Sequence, residues 1–352
     1  MRHFRLSFAA TIVLMALAGW WGYAHGGTPG LLRALWITAV LGVLEVSLSF
    51  DNAVVNATVL RHWNPFWQRL FLTVGILVAV FGMRLLFPLV IVSAATGLSL
   101  AGVWQMAVAT PAEYARHLHE RHAEVAVFGG AFLLLVFLNF LFDEDKELHW
   151  LGWIEEKIGK YGTEGLAVLL ALLAVFGAMR LMPDGRGQAV LVAGVVGVAV
   201  YVGVDWISSL LEEEENDPAI GQIISRGSIG GFLYLEVLDA SFSFDGVIGA
   251  FAISDDVVII MLGLAIGAMF VRSLTVFLVR QGTLEQFVFL EHGAHYAIGI
   301  LALIMFLSVE YDIPEWFTGL SGVVFILVSL WSSVRYRKRI AREAGQGKPE
   351  LV

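Results

Sequence analysis

Apolar runs of about 20 residues recur along this chain, each long enough to cross a hydrocarbon core of about 30 Å. Composition agrees. Of 352 residues 58% are hydrophobic and 15% charged, and the mean hydropathy is +0.77. The sequence predicts an all-α polytopic membrane protein with about ten transmembrane helices. They fall near 5–24, 32–60, 67–95, 124–142, 164–182, 188–210, 227–253, 257–279, 288–309 and 316–334. The count is nine if the first is a cleaved signal. The poor small-residue site at Gly19-Trp20-Trp21-Gly22-Tyr23 favours an uncleaved helix.

Loop charge sets the orientation. Fifteen of the 22 Lys and Arg residues fall on the side of the N-terminus and five on the other, so both termini are expected in the cytoplasm of a multi-pass plasma (inner) membrane protein. The short apolar segment 97–110 is expected to lie on or dip into the outer face. The chain has no cysteine, which removes disulfides and thiolate metal sites. No basic face apart from the C-terminal tail is present, so nucleic acid is not an expected partner, whereas the lipid bilayer is.

Against this background, acids inside spans stand out. A carboxylate at bilayer depth costs about 2.5–3.5 kcal/mol on insertion scales. The second span carries Glu45-Val-Ser47-Leu-Ser49-Phe50-Asp51-Asn52. The seventh carries Asp239-Ala-Ser241-Phe-Ser243-Phe244-Asp245-Gly246, with Glu236 one turn upstream. Each following span holds one apolar-flanked arginine, Arg84 and Arg272. An odd number of spans separates the two copies, so they cross in opposite directions, as inverted repeats do. The expected division is 1–29 as an extra N-terminal helix and 30–142 as the first repeat. A linker with two helices, 143–225, precedes the second repeat with its basic tail, 226–352.

Glu45 and Asp51 are six apart, about 120° around a straight helix, as are Asp239 and Asp245. Either one acid of each pair serves an arginine, or the helices unwind near Ser49–Asn52 and Gly246–Gly249. The donor set is carboxylates, the Asn52 amide, hydroxyls and carbonyls, which suits a hard divalent cation such as Mn²⁺, Mg²⁺ or Ca²⁺. Glu45, Asp51, Asn52, Glu236, Asp239 and Asp245 are the expected metal residues, with Arg84 and Arg272 balancing charge; protons would compete for the same acids as a coupling ion. Static ion pairs fixing helix register are the competing structural explanation. Weaker signals are His117, His119 and His122 in an outer loop, Glu291, His292 and His295 at the ninth span, and the acidic run Glu212–Asp217, each as readily ordinary loop or interface.

At these residues the chain resembles the TerC (tellurium-resistance) family of integral membrane proteins. The resemblance rests on Glu45-x5-Asp51-Asn52 and on Glu236-x2-Asp239-x2-Phe242-x2-Asp245 running into Gly249-Ala-Phe251-Ala252-Ile253-Ser254, and is closest to a TerC-like branch of unassigned function. It implies metal-ion homeostasis, notably Mn²⁺ export, with a site shared by the acids of both repeats. The expectation is a divalent-cation exporter, with no prosthetic group and no enzymatic activity. The alternative is a non-transporting scaffold or metal-handling partner linked to tellurium resistance or metal stress.

Overall fold

A computed structural model describes residues 4–75, 77–143, 146, 148–182, 185–212, 228–280, 287–311 and 313–345. Among them there is no strand. The chain opens with α1 (Arg5–Leu48) and α2 (Phe50–Leu60), followed by α3 (Pro65–Leu70), two π-helical stretches (Phe71–Gly75 and Val78–Leu86) and α4 (Phe87–Thr96). Then come α5 (Leu100–Ala109), α6 (Pro111–Glu120), α7 (His122–Phe142), α8 (Trp153–Tyr161), α9 (Glu164–Leu181) and α10 (Gly187–Glu212). The last four are α11 (Ile229–Ile253), α12 (Val257–Arg280), α13 (Leu290–Leu307) and α14 (Glu315–Gly345).

Seven of these helices are long and apolar enough to cross a membrane, or eight if the pair Phe81–Thr96 and Leu100–Ala109, bent by 103°, is one span. Two features separate this count from ten. First, α1 joins two expected spans through a kink at Gly26 and Gly27, where Gly27 takes φ 59°, a conformation that only glycine adopts at no cost. Second, α11 has Glu236, Asp239 and Asp245 in the middle of its apolar sequence. The 103° bend turns α5 away from α4, as the short segment 97–110 requires, with Gly97 (φ 73°) closing the end of α4.

Small residues hold the bundle together. Without a hydrophobic drive between helices in lipid, packing depends on close backbone approach. The second arm of α1 lies on α12 at Gly42, Gly263 and Gly267. A Cβ on Gly263 would lie 2.6 Å from the Leu41 Cβ, and one on Gly267 would overlap the Glu45 stem. The two arms of α1 meet at Gly22 and Gly30, where a Cβ on Gly22 would lie 2.5 Å from Ala34. Elsewhere α7 packs against α13 at the centre, and α9 and α10 lie outside α7.

The π stretches have a local consequence. A π turn displaces the regular i→i−4 ladder and leaves carbonyls for other partners. The Leu72 carbonyl, inside the first stretch, accepts from Arg272 Nε at 2.6 Å.

Overpacking sets the first prediction. Gly263→Ala and Gly267→Ala should each destabilise the detergent-solubilised protein by about 1–3 kcal/mol. Gly177→Ala, where an added Cβ meets nothing within 4 Å, should change it by less than about 0.5 kcal/mol. Thermal unfolding followed by circular dichroism measures the difference; equal midpoints for all three variants would refute the glycine seam.

Candidate functional site

The acids separate into two neighbouring groups. In the first, Glu45 and Arg84 form a buried ion pair with side chains 2% and 3% exposed, and Ser49 Oγ donates to Glu45 Oε1 at 2.8 Å. Ser49 is a one-residue kink (φ −99°, ψ 17°) between α1 and α2. Its N–H still reaches the Glu45 carbonyl at 2.9 Å and its carbonyl still accepts from Ala53 N at 3.1 Å, so the helix bends without unwinding. That bend is enough to place Glu45 and Asp51 on one cavity of about 200 Å³, walled by His119, His122, Gly246, Tyr311 and Thr318. Gly246 is there for approach, since a Cβ on it would sit 3.2 Å from Glu45 Oε2. The expected unwinding near Gly246–Gly249 does not occur, and α11 runs unbroken through it. Gly322 of α14 gives Asp51 room in the same way.

The second group joins the two motif helices. Asn52 Nδ2 donates to Asp239 Oδ1 at 2.5 Å, tying α2 to α11. Beside this bond lies a smaller cavity of about 40 Å³, lined by Asn56, Gly75, Arg84, Glu236, Asp239 and Arg272. A water needs roughly 10–15 Å³ on such a measure, so the space takes a small cation with a few waters. Around the Asn52–Asp239 bond and this cavity, Asn52 Oδ1, Asn56 Oδ1, both oxygens of Glu236 and Asp239 Oδ2 have no hydrogen-bond partner among the described residues. Each such buried acceptor costs about 1–3 kcal/mol when left unsatisfied.

Arg84 lies between the groups. It is ion-paired with Glu45, which lines the larger cavity, while itself lining the smaller one within the field of Asp239. Arg84 is thus paired with one of the expected acids and lies near another. Arg272 spends its Nε on the Leu72 carbonyl and lines the cavity beside Glu236. The Asp245 side chain and the loop 213–217 lie outside the described residues. Among the described residues, no three His, Cys, Asp or Glu side chains converge closely enough to hold a metal.

Sequence reasoning missed Asn56, although its spacing of four from Asn52 in an otherwise apolar run was the available signal. It also missed Glu155. That carboxylate is buried on the short α8, accepting from Trp150 N at 3.0 Å and Tyr296 hydroxyl at 2.6 Å, with His292 Nε2 at 3.7 Å. Nearby, Lys146 lies 4.3 Å over the Phe140 ring, and burial lowers its pKa against the pull of Glu155 and Asp143.

Seven or eight helices apolar enough to span, among the described residues, fit a multi-pass membrane protein, and the carboxylates of Glu45, Asp51, Glu236 and Asp239 lie buried within the bundle. The family follows from comparison: a family model described as "Protein of unknown function (DUF475)" matches residues 50–340, and the chain belongs to that family. No curated protein and no solved structure matches it. The matched region holds Asp51, Asn52, Arg84 and the whole second motif. This corrects the TerC resemblance, because no TerC model matches the chain. The short acidic motif alone did not identify the family.

Removing one partner of a buried pair leaves an uncompensated charge. Arg84→Gln should cost about 3–5 kcal/mol, and adding Glu45→Gln should recover most of it. A thermal-unfolding cycle over the four proteins checks this; additive losses would show that the pair is not coupled.

Proposed function

We propose that the protein is a secondary transporter that exports a divalent cation from the cytoplasm, with protons competing for the same acids. The observation that carries this reading is the set of five unpartnered buried oxygens on Asn52, Asn56, Glu236 and Asp239. A bound cation would satisfy them together, and a protonated acid would satisfy some of them in its absence. Hard oxygen donors without thiolates suit Mn²⁺, Mg²⁺ or Ca²⁺, and Mn²⁺ is the ion to test first. Glu45, Asp51 and Asp245 serve the route to that site, and Arg84 and Arg272 offset the charge of the empty state.

The proposed topology is ten spans in two inverted halves, with both termini in the cytoplasm of the inner membrane. Its supports are the kink at Gly26–Gly27, which divides α1, and the packing of each motif helix on the helix that follows the other motif. The α1 arm bearing Glu45 packs on α12, and α11 packs on the π-helical stretch bearing Arg84.

A second reading, a non-transporting scaffold with structural acids, is favoured by the absence of a three-ligand cluster among the described residues. Ion flux separates the two. Reconstituted wild type should move Mn²⁺, and Asp239→Asn or Asp51→Asn should slow it about 10- to 100-fold, the usual cost of disturbing a ligand or its partner. Well-folded wild type that moves none of the three ions would establish the scaffold.

A further inference from the structure

A cavity of about 760 Å³ at the α8 end of the bundle is separate from both spaces described above. It touches both motif helices just beyond their acids, at Thr58 and His62 on the α2 side and at Tyr234, two residues before Glu236, on α11. Its charged lining is Asp143, Glu164, Asp205 and Glu291. Glu291 is paired with Arg61 at 2.9 Å. Glu164 and Asp205 are close enough to feel one another, and neither has a cationic partner among the described residues. Burial and the neighbouring Arg61 lower the pKa of His62, so at neutral pH it adds no positive charge.

A tyrosine joins these carboxylates in the cavity wall. Tyr234 is 7% exposed and lines the cavity, and its hydroxyl has no hydrogen-bond partner among the described residues. The carboxylates do not converge as direct metal ligands. A cation held here keeps its water, and six waters at about 30 Å³ each fit with room to spare.

We propose that this cavity is a loading chamber in which a hydrated divalent cation is gathered by Glu164 and Asp205, with the Tyr234 hydroxyl bonding its water shell, before it moves on to Asp239. This rests on the transport reading and on the proposed orientation, which puts the chamber on the cytoplasmic side. Charge in a low-dielectric cleft concentrates counter-ions and is screened by salt. The chamber should therefore set how much cation arrives, and the deeper site how fast it crosses.

The test uses full-length protein in proteoliposomes with Mn²⁺ as the probe, comparing wild type, Glu164→Gln/Asp205→Asn, Tyr234→Phe and Asp239→Asn. The double variant should raise the KM about three- to tenfold at low ionic strength with an unchanged maximal rate, and the difference should vanish at high salt. Tyr234→Phe should move the KM the same way by a smaller factor, whereas Asp239→Asn should lower the maximal rate. Mn²⁺ binding to the purified protein, followed by electron paramagnetic resonance, is the readout independent of flux. Wild type should hold a weak, salt-sensitive ion that the double variant loses. Transport by wild type with an unchanged KM in the double variant would overturn the chamber and leave the transporter standing. Absence of flux would overturn the transporter, and equal weak binding in wild type and double variant would overturn the chamber by itself.

Discussion

The ion pair between Glu45 and Arg84 is the constraint around which the rest of the bundle is arranged. Two opposite charges, almost wholly removed from solvent, are held in place only when the surrounding helices come close enough to exclude alternatives. That closeness comes from glycine. Gly267 makes way for the stem of Glu45, Gly246 leaves room for its carboxylate, and the Ser49 hydroxyl takes up another lone pair. Arg84 arrives from a π-helical stretch in which its own side chain is buried while Val78, Phe81 and Leu86 stay exposed. A seam of small residues, a kinked helix and a widened helix thus meet at one pair of side chains.

The polar groups near the pair are not equally satisfied. Glu45 has a cation and a hydroxyl, and Asp51 accepts from the Asn52 amide N–H at 2.9 Å. Glu236 has neither oxygen satisfied, and Asp239 has one left over after Asn52. A purely architectural network would be expected to close such valences, because a half-satisfied polar network is worse than an apolar core. The unsatisfied oxygens gather around the smaller cavity, and under the proposed function that is where a cation would be held.

Hydropathy located the helices wherever the apolar run is uninterrupted. The expected span 124–142 meets His122–Phe142, and 257–279 meets Val257–Arg280. It did not show that residues 5–48 form one kinked unit, because the bend comes from a backbone conformation at Gly26 and Gly27 that leaves the apolar pattern unbroken. The candidate acids were legible because charge in an apolar run is costly, and most were found buried. Their partners were less so. Nothing in sequence says that Arg84 turns to a carboxylate while Arg272 turns to a carbonyl, since that carbonyl is available only in the π stretch. Asn56 and Glu155 went unnoticed for opposite reasons: one is an amide lost among apolar neighbours, the other an acid in what reads as an exposed charged linker.

The bond from Arg272 to the Leu72 carbonyl has a mechanical meaning. A π turn holds one residue more than the α turn it replaces, so moving that residue past a given point rotates everything beyond it by about 100°. Arg84 follows in the chain, on the second π-helical stretch. Arg272 thus holds one widened turn from α12, while Arg84, on the next, pairs with Glu45 on α1. The two arginines tether consecutive widened segments to two helices that pack on each other, so an irregular stretch of backbone is anchored at both ends.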